Sequence, residues 1–157
     1  MFSIGDKVVY PMHGAGIISN IEEKQVLGET RAYYILNMPY GNMQVMVPVN
    51  NADQAGLRPV SDEAMVEKIV ETLGAPSTPM DDNWNRRTRD NMEKLKSGDP
   101  CVVAEVIRNL TRVEREKKLS TGEKKLLVNA KQALASEIVL VKNVDENAAM
   151  DMIDSAI

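Results

Sequence analysis

The sequence predicts an α+β chain of two parts, a β module followed by an all-α module. Three observations predict it. Apolar residues come in short, partly alternating runs up to residue 60 and recur at helical spacing from Ser61 onward. Glycine and proline punctuate the first part, whereas Ser, Asp and Asn caps punctuate the second. With 157 residues, 43% of them hydrophobic, the chain can fill one good core or two small ones. Aromatics are only 4% against ten methionines, so those cores are aliphatic and Met-filled.

The elements follow in order. Asp6–Pro11 is a short strand closed by proline, and His13-Gly14-Ala15-Gly16 supplies two glycines for a turn. Ile17–Lys24 runs outward as a second strand to a turn at Val26-Leu27-Gly28-Glu29. Arg31–Met38 is the third strand and Pro39-Tyr40-Gly41-Asn42 the third turn. Met43–Val49 is a fourth strand, and Leu57–Val60 adds a fifth. Short strands at this spacing predict a small bent sheet or partial barrel. Ser61 is the expected cap of a helix carrying Met65, Ile69 and Leu73 and ending at Gly74. Asp82 or Asn83 caps a helix with Trp84, Met92 and Leu95 that stops at Ser97-Gly98. Asp99 caps the next, with Pro100 in its first position. Ser120-Thr121-Gly122-Glu123 is a capping box before a long apolar helix, and Asp145 caps a last acidic one. The division is 1–60 for the β module, 61–80 for a connecting helix and Pro-containing linker, and 81–157 for a compact helical domain of about four to five helices.

Charge is unevenly placed. The net formal charge is −4. Residues 81–142 nevertheless carry fourteen Lys and Arg against ten Asp and Glu, and the last fifteen residues carry four acids and no cation. One basic segment thus sits inside an acidic chain, and for a polyanionic partner the local field counts most. No run is long enough to span a bilayer and the N-terminus has no signal-peptide pattern, so no membrane association and a cytoplasmic location are expected. The single Cys101 permits no internal disulfide.

Catalytic signals are weak. His13 is the sole histidine and lies in a Gly-flanked turn, where a structural role is expected. Cys101 reads as a small hydrophobe in the first turn of an apolar helix. No zinc-ligand spacing and no phosphate loop appear. We expect no enzyme activity, no catalytic residue, no metal and no cofactor.

Two constellations remain. In the first, Trp84, the only tryptophan, is followed within five residues by Arg86, Arg87 and Arg89. Arg86 and Arg89 share a helix face, with Asp90 as an expected ion-pair partner for Arg86. A second basic cluster runs from Arg112 to Lys125. Lys124 and Lys125 lie in a first helical turn, where acids are preferred, which points to an anionic partner. Trp84 is either a core anchor or an exposed ring among polar neighbours. In the second, Met43–Val49 is apolar at both parities and either closes a small barrel or forms an edge awaiting a partner strand.

The residues Val8-Val9-Tyr10-Pro11-Met12-His13-Gly14-Ala15-Gly16-Ile17, Tyr33-Tyr34-Ile35-Leu36 and Val45-Met46-Val47-Pro48-Val49 resemble the polymerase-interacting domain of the CarD/CdnL transcription regulators. That module is also found in the transcription-repair coupling factor. Asn83-Trp84-Asn85-Arg86-Arg87, Glu93–Asp99, Val103–Leu110 and Leu119–Lys125 resemble the helical domain of CarD, and this half together with the short length excludes the coupling factor. The resemblance implies a Tudor-like N-terminal module that docks on the β subunit of RNA polymerase holoenzyme through an edge strand. It implies a helical domain on promoter DNA, in the minor groove at the upstream edge of the transcription bubble. There a tryptophan, matched by Trp84, wedges and stabilises the open complex. Arg86, Arg87 and Arg89 match backbone-contacting positions, and Lys124 and Lys125 a further basic turn. The polymerase-binding set implied is Lys24, Gln44, Val45, Met46, Val47 and Pro48. Lys24 falls where some relatives carry arginine, and Met46 where some carry an arginine that contacts β. The protein is expected to act as a monomer. The alternative is a polymerase-binding adaptor with no direct DNA contact.

Overall fold

The computed structural model describes residues 1–39 and 42–157, so Tyr40 and Gly41 of the expected third turn lie outside the described residues. Five strands come first: β1 (Lys7–Tyr10), β2 (Gly14–Val26), β3 (Glu29–Asn37), β4 (Gln44–Pro48) and β5 (Arg58–Pro59). Five helices follow: α1 (Glu63–Gly74), α2 (Trp84–Lys96), α3 (Pro100–Glu116), α4 (Thr121–Lys142) and α5 (Glu146–Ala156). Among the described residues, no helix is long and apolar enough to cross a membrane.

The strands form an antiparallel sheet in the order β4-β3-β2-β1-β5. It stays open rather than closing into a barrel, because β4 and β5 are its two edges. One face buries Val8, Ile18, Tyr34, Leu36 and Val47 with Ala52 and Leu57. A bulge between Ile18 and Asn20 re-registers β2 against β3. Gly14 and Gly16 belong to β2 itself and not to a turn, which falls instead at Pro11–His13 with Met12 at φ 72°. Close approach explains both glycines. A Cβ at Gly14 would lie 2.7 Å from Ser136 Oγ on α4, and one at Gly16 would lie 2.6 Å from Met38 Sδ.

The helices enclose a second core of Val66, Ile69, Leu73, Leu95, Ile107, Leu110, Leu134, Ile138 and Ile153. α1, expected as part of a connection, contributes three of these and is a core element of the helical half. Its cap is Asp62, which accepts from Met65 N–H at 2.8 Å, in place of the expected Ser61. Ser61 is drawn elsewhere. Its N–H and hydroxyl both donate to Glu137 Oε2 on α4 at 2.8 Å. Arg58 of β5 grips the same carboxylate with two bonds of 2.9 Å. Nearby, the Ala15 N–H donates to Ser136 Oγ at 2.8 Å. The sheet is thereby seated on α4.

Glu137 is 2% exposed. Burial opposes its ionisation, but the Arg58 guanidinium and the Ser61 donors outweigh it and hold the carboxyl below the usual carboxylate range. A folded pKa below the unfolded value of about 4.3 gives stability that is complete above that value. It is lost as pH falls through the folded pKa. Glu137→Gln is therefore expected to flatten the acid-side decline of the thermal midpoint between about pH 5 and pH 2. An unchanged slope would contradict this role.

Candidate nucleic-acid and docking interfaces

α2 begins where Asn83 Oδ1 accepts from the N–H groups of Asn85 at 3.0 Å and Arg86 at 3.2 Å. The helix buries Arg87, Asn91 and Leu95, a series four apart. Trp84 lies on the same side of the helix, three residues before Arg87 and seven before Asn91, but at its first position. There it stands past the edge of the core and is 55% exposed.

Arg87 does not share the expected surface. Its Nε donates to Glu123 Oε2 at 2.7 Å and its Nη2 to Glu123 Oε1 at 2.9 Å. Both side chains are buried, Arg87 at 8% and Glu123 at 0% exposure. The expectation that Arg87 contacts a DNA backbone is corrected by this fork-to-fork pairing, which commits the guanidinium inside the protein. Glu123 also completes the capping box, accepting from the Ser120 hydroxyl at 3.0 Å. The Arg87 bond holds its carboxyl below the usual range, against the opposing effect of burial. One buried carboxylate thus ties the first turn of α2 to the first turn of α4. The amide-rich, positive ends of two helices are brought together there.

Four cations remain on the outside. Arg86, Arg89, Lys124 and Lys125 are all exposed, and none is in an ion pair among the described residues. The expected Arg86–Asp90 pair does not form. The second basic cluster is thinner than the sequence suggests. Arg112 turns inward to donate to the carbonyls of Leu73 and Ala75 and to Ser77 Oγ. Arg108, which the sequence did not single out, is buried and donates to Thr72 O and Thr78 Oγ1. Together they satisfy the orphan carbonyls at the end of α1 and pin the linker that leads to Trp84. Their positions on the polar flank of an apolar helix are the only advance signal.

The residues with catalytic potential lie apart. His13 stacks on Tyr10 with ring centroids 4.4 Å apart, and Cys101 Sγ lies 3.7 Å from Met65 Sδ. An apolar cavity of about 330 Å³ opens beside α2 and α4, and among the described residues Lys125 is its one ionisable wall residue.

At one edge of the sheet, β4 pairs among the described residues with β3 alone, from Tyr33↔Pro48 to Asn37↔Gln44. The open alternative, an edge strand, is what the fold adopts. Val47 is buried and Val45 half-buried on the inner face. Met46 is 41% exposed on the outer face, where Gln44 donates to Asn37 Oδ1 at 3.1 Å. Lys24, Gln44 and Met46 line one shallow depression with Ser19, Glu22 and Ile35, and Pro48 closes the strand half-buried. Lys24 lies 3.7 Å from Glu22 in an exposed ion pair.

Comparison with known proteins matches residues 2–61 to the CarD-like/TRCF RID domain and residues 68–154 to the CarD C-terminal domain. The chain is also 41% identical over 146 residues to YdeB of Bacillus subtilis (strain 168), a protein assigned as a transcription factor. The match covers 93% of this chain and 95% of that one.

Proposed function

The chain belongs to the CarD-like family of transcription regulators, which act with RNA polymerase, and on that premise we propose how its two surfaces divide the work. The β4 edge adds a strand to the polymerase β subunit. The helical half meets promoter DNA at the upstream edge of the transcription bubble. There Trp84 enters the minor groove as a wedge and slows bubble closure, stabilising the open complex. Arg86, Arg89, Lys124 and Lys125 hold the phosphates on either side. Arg87 is a positioning residue that fixes the base of the wedge through Glu123. The protein acts as a monomer, without cofactor.

The observation that carries this reading is the half-exposed Trp84 ring, with exposed cations that have no ion pair among the described residues, at the joined N-terminal ends of two helices. A wedge costs a few kcal/mol of unstacking in intact duplex and much less where the step is already open. Four cations give weak DNA affinity alone, so tethering through polymerase supplies the local concentration. A net charge of −4 is then no obstacle. The adaptor reading needs the ring in the core, and its exposure favours the wedge.

Arg86→Ala with Arg89→Ala is expected to leave folding stability within about 0.5 kcal/mol of wild type. It should shorten open-complex lifetime and reduce the logarithmic salt dependence of the effect by about two units of slope. Lifetimes measured across a salt series check this. An unchanged slope would remove the arginines from the DNA surface.

A further inference from the structure

The hairpin joining β2 and β3 breaks two local rules at one residue. Its two-residue turn is Leu27-Gly28, with φ of 52° and 80°. Positive φ at both positions is the mark of the type I′ hairpin, whose first position strongly favours asparagine or glycine. Leucine pays a steric penalty there. It is also 100% exposed, so no contact within the chain offsets that penalty.

The setting makes this sharper. Beyond the Tyr33↔Pro48 row, β2 and β3 pair only with each other, from Glu23↔Ala32 to Val26↔Glu29. They form a two-stranded ribbon projecting from the sheet, an arrangement that is marginal on its own. A turn residue that favoured the fold would be selected first at such a tip. The helix caps agree with the structure, as at Asn83, Asp99 and Ser120, and the other apolar residue at positive φ, Met12, is only 38% exposed, whereas Leu27 stands wholly in solvent. Isolated breaches of local consistency mark positions held by function.

We propose that Leu27 is a protein-contact anchor that enters an apolar recess on the same polymerase subunit whose strand pairs with β4. This rests on the polymerase-docking reading above. The ribbon is continuous with that edge through β3, and Lys24 lies on it. From the Tyr33↔Pro48 row to the tip is about 17 Å at about 3.3 Å per residue, within the reach of one standard interface. A fully exposed aliphatic side chain on a projecting tip fits a concave apolar site, and the surrounding Lys24, Glu29 and Arg31 form a polar rim.

The test exploits opposite signs. Leu27→Asn creates the preferred Asn-Gly turn and is expected to keep or raise the thermal midpoint. It should weaken binding to purified RNA polymerase core enzyme by about tenfold. Leu27→Met should bind within about threefold of wild type. Titrations of the three full-length proteins onto immobilised core enzyme, with melting curves alongside, read both effects. If Leu27→Asn binds as tightly as wild type, the anchor is refuted while polymerase docking stands. If wild type itself fails to bind, the docking reading falls and takes the anchor with it.

Discussion

Arg87→Met is expected to destabilise the free protein by about 3–5 kcal/mol, because it strands the Glu123 carboxylate in a buried site. For a chain of this size that is a fall in thermal midpoint on the order of 10 °C. Ser120 would remain as a donor to Glu123, but a hydroxyl and an N–H do not replace a guanidinium fork. Arg86→Met, one residue away and exposed, should change stability by no more than about 0.5 kcal/mol. The pair separates a positioning arginine from a surface arginine that is its chain neighbour. The double variant Arg87→Met with Glu123→Met should recover much of the loss, since it removes the unpaired charge. Chemical denaturation of the four proteins checks this. Equal stability of Arg87→Met and Arg86→Met would contradict the buried clasp.

Trp84→Ala is expected to behave in the opposite way. The ring is 55% exposed at the first position of α2, before its buried residues begin, so its removal should leave stability close to wild type. Polymerase affinity should also hold, because the β4 edge is built on the separate core of the sheet. The lifetime of the open complex should fall about tenfold, the equivalent of about 1.4 kcal/mol of lost wedge contact. Trp84→Phe should retain part of the effect, since a smaller ring still stacks on an exposed base step.

Most of the fold was legible because caps and periods agree. Asp99, Ser120 and Asp145 cap the helices they were expected to cap, and the two-part α+β architecture follows from the change of period after residue 60. What escaped the sequence was tertiary competition for polar groups. Ser61 satisfies Glu137, so Asp62 takes the cap. Gly14 and Gly16 read as turn residues because the close approach of α4 and Met38 is invisible along the chain. Of the proposed DNA surface, Arg86, Arg89, Lys124 and Lys125 do lie exposed, whereas Arg87 does not. The clue was present in the spacing Arg87, Asn91, Leu95, together with an acid three residues after the serine of a capping box. An arginine on a buried stripe needs a counter-charge, and the Glu123 of that box supplies it.

The central claim is that the Trp84 ring holds the bubble open while polymerase carries the protein there. Its most direct measurement is the decay of competitor-challenged open complexes on a promoter whose bubble closes readily, at protein concentrations that saturate polymerase. Wild type is predicted to prolong the lifetime and Trp84→Ala to return it most of the way to polymerase alone, with equal occupancy of both proteins. Equal lifetimes for wild type and Trp84→Ala at equal occupancy would contradict the wedge.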